Sequence, residues 1–177
     1  TYDRTALFSF EAEGVVGDVV LRADAGYTPI QRFYDRDFNG YRRSAWSGAL
    51  GAEYTHGEEW LVSATAFSIG VLNPPADAML TGIEAADDSP EARDIAALFG
   101  FAGVLRFRPV DLDIEMTATT VYTLGPRDTV ALATIAYKRF EPQVFRVGGL
   151  YIAGPPESFA GRMRRNDMVF DDYRIPW

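Results

Sequence analysis

The chain has 177 residues, no cysteine, one histidine and a formal net charge of −8. These numbers exclude disulfides, thiolate chemistry and metal sites built from several histidines. The acidic charge argues against a nucleic-acid partner, which would need a basic surface. We expect a single domain, residues 1–177, without a metal or a cofactor.

Apolar and polar residues alternate with a period of two along most of the chain. In residues 19–28, Leu21, Ala23 and Tyr27 share one face, whereas Arg22 and Asp24 share the other. This period is typical of a β-strand with one apolar and one polar face. The alternation predicts nine strands, near residues 5–14, 17–30, 44–55, 59–72, 100–108, 111–124, 128–140, 143–153 and 166–177.

Short segments rich in Gly, Pro and charge separate these runs, as in "GVVGD", "HGEE" and "GPRD". Hairpins of this kind produce an antiparallel sheet. Because an open sheet of this size would leave exposed edges, closure is expected. The predicted fold is therefore all-β, a closed antiparallel up-and-down β-barrel of about 8–10 strands.

One short helix is predicted in the connection formed by residues 73–99. Ser89 is its N-cap, Pro90 its first residue and Gly100 its stop. The other long connections are 31–43 and 154–165, and all three lie at one end of the predicted barrel. Long loops at one end and tight turns at the other are typical of outer-membrane barrels, and they also occur around the mouth of a soluble ligand-binding barrel.

The chain ends in "NDMVFDDYRIPW", with Val169, Tyr173, Ile175 and Trp177 at alternate positions and Asp171 among them. This ending resembles the last strand of bacterial outer-membrane β-barrel proteins, whose insertion machinery reads such a pattern. The resemblance covers residues 166–177 and implies a bacterial outer-membrane location with membrane lipid as a partner. Barrels of this class have even strand numbers, so either the nine strands are miscounted or a further strand precedes Thr1.

Two arginine-rich segments lie at the long-loop end of the predicted barrel. They are "QRFYDRDFNGYRR", in which arginines alternate with aromatic residues, and "GRMRR". Arginine forks suit phosphate and carboxylate oxygens. One hypothesis is binding to the anionic headgroups of lipopolysaccharide; the other is neutralisation by acids such as Asp35 and Asp37. The candidate anion-binding residues are Arg32, Arg36, Arg42, Arg43, Arg162, Arg164 and Arg165.

Charged residues on the polar strand faces form a second candidate site. They would line the lumen of a membrane barrel, or form a solvated face on a soluble one. These lumen or ligand-lining candidates are Arg22, Asp24, Arg106, Arg108, Asp113, Glu115 and Arg146.

Two functions are compatible with these patterns, because alternation alone does not decide which face points inward. The first is an outer-membrane β-barrel acting as a small-molecule pore or binding protein. The alternative is a soluble, cytoplasmic or periplasmic, lipocalin-like barrel that binds or converts a hydrophobic small molecule by cyclase or isomerase chemistry. Whether the chain is an enzyme stays open. In the second case the pocket would be lined by Phe8, Phe10, Leu21, Leu50, Leu112, Ile114 and Met116.

Overall fold

The computed structural model describes residues 6–34, 40–73, 95–125, 127–140, 143–156 and 158–174. Its sheet has nine strands, and each strand pairs antiparallel with the strands before and after it in the chain. The strands are β1 (Phe8–Val16), β2 (Val19–Tyr34), β3 (Gly40–His56), β4 (Trp60–Leu72), β5 (Ile95–Phe107), β6 (Ile114–Thr123), β7 (Thr129–Tyr137), β8 (Val144–Ala153) and β9 (Met168–Arg174). Helix α1 (Phe159–Met163) and a 3-10 turn (Arg164–Asn166) precede β9.

Tight connections define one end of the sheet, which we call the turn end. Its connections are residues 17–18, 57–59, 108–113 and 138–143. Val16 pairs with Val19 across a two-residue turn, and Gly17 and Gly57 adopt φ values of 61° and 57°. Glycine reaches this left-handed backbone without a Cβ clash, and tight turns of this kind hold neighbouring strands in register. The opposite end, which carries α1, is the loop end.

The predicted nine strands and their antiparallel up-and-down order are confirmed. Among the described residues, β1 and β9 are the two edges of the sheet and do not pair with each other. The sheet is therefore open in this structure, and closure into a barrel is not seen.

The predicted helix in the 73–99 connection is wrong in the part that the structure describes. Residues 95–100 belong to β5, whereas residues 89–94 lie outside the described residues. Strand β4 explains the extended backbone, because Ile69 pairs with Leu98 and Gly70 with Ala97. These pairings satisfy backbone groups that a helix would have satisfied internally. The described helix, α1, lies instead in the 154–165 connection.

The predicted long connection over residues 31–43 is also wrong. Strand β2 continues to Tyr34 and β3 begins at Gly40, so that residues 35–39 alone separate them. Arg36 lies in that segment, outside the described residues. A register shift between Thr28 and Gln31 marks the point where the β2–β3 hairpin extends beyond its neighbours.

Cross-strand partners share a face, so the register divides the strand residues between two faces. We call one the polar face and the other the apolar face. A row across the polar face contains Glu13, Arg22, Gly51, Thr65, Ala102 and Val121. The adjacent row on the apolar face contains Ala12, Ala23, Leu50, Ala66, Phe101 and Tyr122.

Candidate functional site

The apolar face is the exposed face of the sheet. Leu50 is 68% exposed, Phe10 64% and Phe101 51%, although each is a large apolar side chain. In β6, the even-numbered residues from Met116 to Tyr122 are exposed, whereas the odd-numbered residues of the polar face are half-buried. Large contiguous apolar surfaces of this kind are rare on water-soluble monomers and mark contact with protein or membrane.

The polar face is the less exposed face from β3 to β8, whereas β1 is exposed on both faces. The buried strand residues Ala45, Val71, Ala136 and Ile152 all lie on it, and Val71 is only 1% exposed. A twisted, coiled sheet shelters the side towards which it curls. The side chains of the polar face in β3 to β8 are therefore less accessible than those of the apolar face.

Aromatic side chains form a row near the turn end of the apolar face. Trp60 stacks on Phe107 with ring centroids 4.1 Å apart. Phe145 stacks on Tyr173 in the same way, at 4.5 Å. Since each stacked pair joins neighbouring strands, the row runs across the sheet. Its members are Tyr54, Trp60, Phe107, Tyr137, Phe145 and Tyr173.

A second aromatic row lies towards the loop end of the same face. Tyr27 pairs with Trp46, and the Trp46 ring lies 6.4 Å from that of Phe99. Along β3, Trp46 and Tyr54 are separated by about 27 Å of strand.

The band between the two rows is nearly free of charge. Within the strand residues described up to the register shift in β2, the register places one carboxylate, Asp171, and one histidine, His56 at the turn end, on the apolar face. The charges of the strands lie instead on the polar face, which separates them from the apolar band.

Arg22 joins three strands on the polar face. Its Nε donates to Glu13 Oε2 at 2.8 Å, and its Nη1 donates to Glu53 Oε2 at 3.2 Å. Asp24, two residues along β2, lies opposite Glu11. Because one cation stands among four carboxylates, this part of the polar face is negatively charged. A cavity of about 120 Å³ opens beside these groups.

Ion pairs continue along the polar face towards β9. Lys138 Nζ donates to Glu115 Oε2 at 2.8 Å. Arg174 Nε donates to Asp172 Oδ2 at 2.7 Å, and Arg146 is the cross-strand partner of Asp172. The polar face therefore carries both signs of charge across most of its width, which suits contact with polar solutes or water.

The register places five predicted lumen residues on this polar face, namely Arg22, Asp24, Arg106, Glu115 and Arg146. Arg108 and Asp113 are placed differently. Both lie in the β5–β6 connection at the turn end, where they line a separate cavity.

The predicted anion-binding arginines are divided between several places. Arg32 pairs with Arg42 on the outer, apolar side of the sheet, beyond Tyr27 and Trp46. Arg43 lies on the other side, where its Nε donates to the Asn73 carbonyl oxygen at 2.5 Å. The remaining described arginines of this set, Arg162, Arg164 and Arg165, lie on α1 and the 3-10 turn that precede β9.

Sequence analysis missed a buried polar cluster at the loop end. Ser158 caps α1, since its Oγ accepts from Gly161 N at 3.0 Å and donates to the Pro155 carbonyl oxygen at 2.8 Å. Asp128 Oδ2 accepts from Ala160 N at 3.2 Å. These bonds fasten α1 to the β6–β7 connection. The N-cap serine of "SFAGRM" was a signal that could have revealed α1.

No group of three His, Asp or Glu side chains able to hold a metal ion occurs among the described residues. No helix in the described ranges is both long and apolar enough to cross a membrane. No protein family matches this chain, and no curated protein or solved structure is similar to it, so its function has to be inferred from its own residues.

Proposed function

We propose that the chain is an outer-membrane β-barrel that passes or binds small molecules through a polar interior. The observation that carries this proposal is the exposure of the two faces: large apolar side chains are exposed on the apolar face, whereas the polar face is the less exposed one from β3 to β8. This distribution is the reverse of the one that stabilises a soluble protein in water. In a bilayer it is favourable, because lipid contacts the apolar side chains and water fills or hydrates the interior.

Closure of the sheet is part of this proposal. Unpaired backbone groups of β1 and β9 would be costly in lipid, where no water satisfies them. In a meander of nine strands, β1 and β9 run in the same direction, so direct pairing between them would be parallel. A further strand antiparallel to both would close the barrel with the even strand number of bacterial outer-membrane barrels.

The charges of the polar face support a narrow interior rather than a wide channel. A barrel of eight strands is about wide enough for its own side chains to fill it, and one of ten strands is only moderately wider. Arg22 with Glu13 and Glu53, and Lys138 with Glu115, project into that space. We therefore favour binding or gated passage of small polar solutes over free diffusion of large ones.

Lipopolysaccharide is the proposed lipid partner at the loop end. Arg32 and Arg42 lie on the outer side, beyond the aromatic row that contains Tyr27 and Trp46. In a membrane barrel, side chains at this height meet the headgroup region rather than acyl chains. Guanidinium groups suit the phosphates of that region.

The lipocalin-like alternative requires the apolar face to line an enclosed pocket. The side chains assigned to that pocket include Phe8, Phe10, Leu50 and Leu112, and all four are more than half exposed. Their exposure favours the membrane barrel over this alternative.

A pair of substitutions at neighbouring positions tests the proposal. Leu50→Arg puts a charge in the middle of the apolar band, whereas Ala49→Arg puts it on the polar face opposite Asp24. A lipid-facing arginine near the bilayer midplane costs about 2–4 kcal/mol. We expect Leu50→Arg to lower the yield and stability of protein refolded into micelles, and Ala49→Arg to have little effect. Heat-modifiable gel mobility measures the folded fraction.

A larger loss of folded protein in Ala49→Arg than in Leu50→Arg would contradict the membrane barrel. If Leu50 faces water, an arginine there should be neutral and should improve solubility. A sharp monomer peak in size-exclusion chromatography without detergent would likewise overturn the proposal.

A further inference from the structure

Three connections at the turn end are tied together by hydrogen bonds. Arg108 N donates to the Glu59 carbonyl oxygen at 2.8 Å, and Lys138 N donates to the Asp113 carbonyl oxygen at 2.7 Å. Val110 N adds a bond to Glu59 Oε1 at 3.3 Å. These bonds link residues 57–59, 108–113 and 138–140 into one unit, which we call the turn-end rim. Groups carried by the rim are held in place before any ligand arrives, which lowers the entropic cost of binding.

Two connections of the rim enclose a cavity of about 260 Å³. Arg108, Lys138 and Arg139 line it, with Asp113 as the carboxylate among its lining residues. Among the described residues that line the cavity, three are cationic and one is anionic, although the chain as a whole is acidic. This local excess favours an anionic ligand.

The three cations differ in the partners that they already have. Lys138 Nζ is held by Glu115 Oε2 at 2.8 Å. Arg108 and Arg139 form no salt bridge with another residue in the described part of the chain. The Tyr137 side chain, by hydrogen bonding, raises the pKa of Arg139, and the charge of Asp113 adds to this effect. Neither guanidinium group is therefore paired with a carboxylate of the described residues, and each has N–H donors for an external anion.

Apolar side chains stand beside these guanidinium groups. Val110 is 70% exposed and Leu112 55% exposed, and both line the same cavity. An exposed apolar surface next to an anion-binding group suits a ligand that carries both an anionic headgroup and a hydrocarbon part.

We propose that the turn-end rim binds a phosphate group through the guanidinium forks of Arg108 and Arg139. Two forks can each form bidentate hydrogen bonds to phosphate oxygens, which a single lysine cannot do. The phosphate belongs either to a phospholipid headgroup, whose apolar part would contact Val110 and Leu112, or to a free phosphate compound. The lipid form rests on the proposed membrane barrel, because there the rim lies at the level of the headgroups.

Titration of the purified chain in non-ionic maltoside micelles tests this site. The probes are inorganic phosphate and, separately, phosphatidylglycerol, followed by calorimetry. The site variant is R108Q/R139Q. Its matched control is R127Q/R174Q, which removes the same charge from exposed arginines outside the turn-end rim. We expect the site variant to bind at least about tenfold more weakly, as expected for lost charge-assisted hydrogen bonds, and the control to bind like the wild type.

The outcomes separate the two sources of phosphate. Tighter binding of phosphatidylglycerol than of inorganic phosphate assigns the site to lipid, and equal binding assigns it to free phosphate compounds. Absence of binding by both probes, or an equal loss in both variants, overturns the proposal. If R108Q/R139Q does not fold, R108K/R139K keeps the charges but removes the forks, and unchanged affinity in that variant also overturns it. If the chain proves soluble without detergent, the barrel fails, but the phosphate titration in buffer still tests the rim.

Discussion

Trp46 lies directly over Gly70, its cross-strand partner on the apolar face. The indole fills the space that a Cβ on Gly70 would need, and this position brings its ring near Phe99 of β5. The same arrangement recurs on the polar face, where Phe170 covers Gly148 across β8 and β9. An aromatic ring over a glycine restores packing that the missing side chain would otherwise lose.

Gly70→Ala is expected to destabilise the fold by about 1–3 kcal/mol, the usual cost of overpacking a well-packed site. The added methyl group displaces Trp46, so its fluorescence should shift to the red. Urea unfolding in micelles measures the free energy of unfolding. Gly14→Ala is the control, because no atom lies within 4 Å of its added Cβ. If both substitutions changed the free energy of unfolding equally, the packing of Trp46 would not depend on the missing side chain of Gly70.

Arg22 and Glu13 are expected to be only weakly coupled, because both side chains are about half exposed and water screens their charges. A double-mutant cycle of Arg22→Gln and Glu13→Gln measures this coupling directly. The value should fall as salt is added, since salt screens exposed charges. Arg22→Gln alone should cost more than Glu13→Gln alone, because Arg22 also binds Glu53. A coupling of zero at low salt would contradict the geometry of this ion pair.

Ser158→Ala is expected to loosen α1 at a cost of about 1 kcal/mol, the usual effect of losing an N-cap. Ser158 is 3% exposed and holds both Gly161 N and the Pro155 carbonyl oxygen. Trypsin should then cleave faster after Arg162, Arg164 and Arg165, while the sheet stays folded. Ser9→Ala, an exposed serine in β1, serves as the control. Unchanged cleavage kinetics would mean that the cap does not limit the opening of this segment.

Amide hydrogen exchange in β1 tests whether the sheet closes in micelles. In the open sheet, every second backbone amide of β1 points away from β2 and lacks a strand partner. Closure would protect all the amides of β1, whatever strand supplies the partners. We expect protection at consecutive residues of Phe8–Val16. Fast exchange at alternate residues would show that the edge stays open.

The strands could be predicted from the sequence because their period of two and their turn residues are local signals. The beginning of β5 could not be predicted from the sequence. Residues 95–100 form a short apolar segment that follows a helix-start signal, and periodicity does not distinguish such a segment from a helix. Pairing with residues 67–72 of β4, distant in sequence, decides that they are extended. The same dependence on a distant partner explains why the extension of β2 and β3 to residues 34 and 40 was missed.

The sequence by itself determined which residues share a face, because side chains alternate along every strand. It did not determine which face is sheltered, since alternation is unchanged when the sheet is turned over. The tertiary structure decided this, because it leaves Leu50 and Phe101 exposed on the apolar face and buries Val71 and Ala136 on the polar face. The tertiary structure also decided that Arg108, Asp113 and Lys138 line one cavity in the turn-end rim. Their proximity depends on how the neighbouring hairpins are aligned.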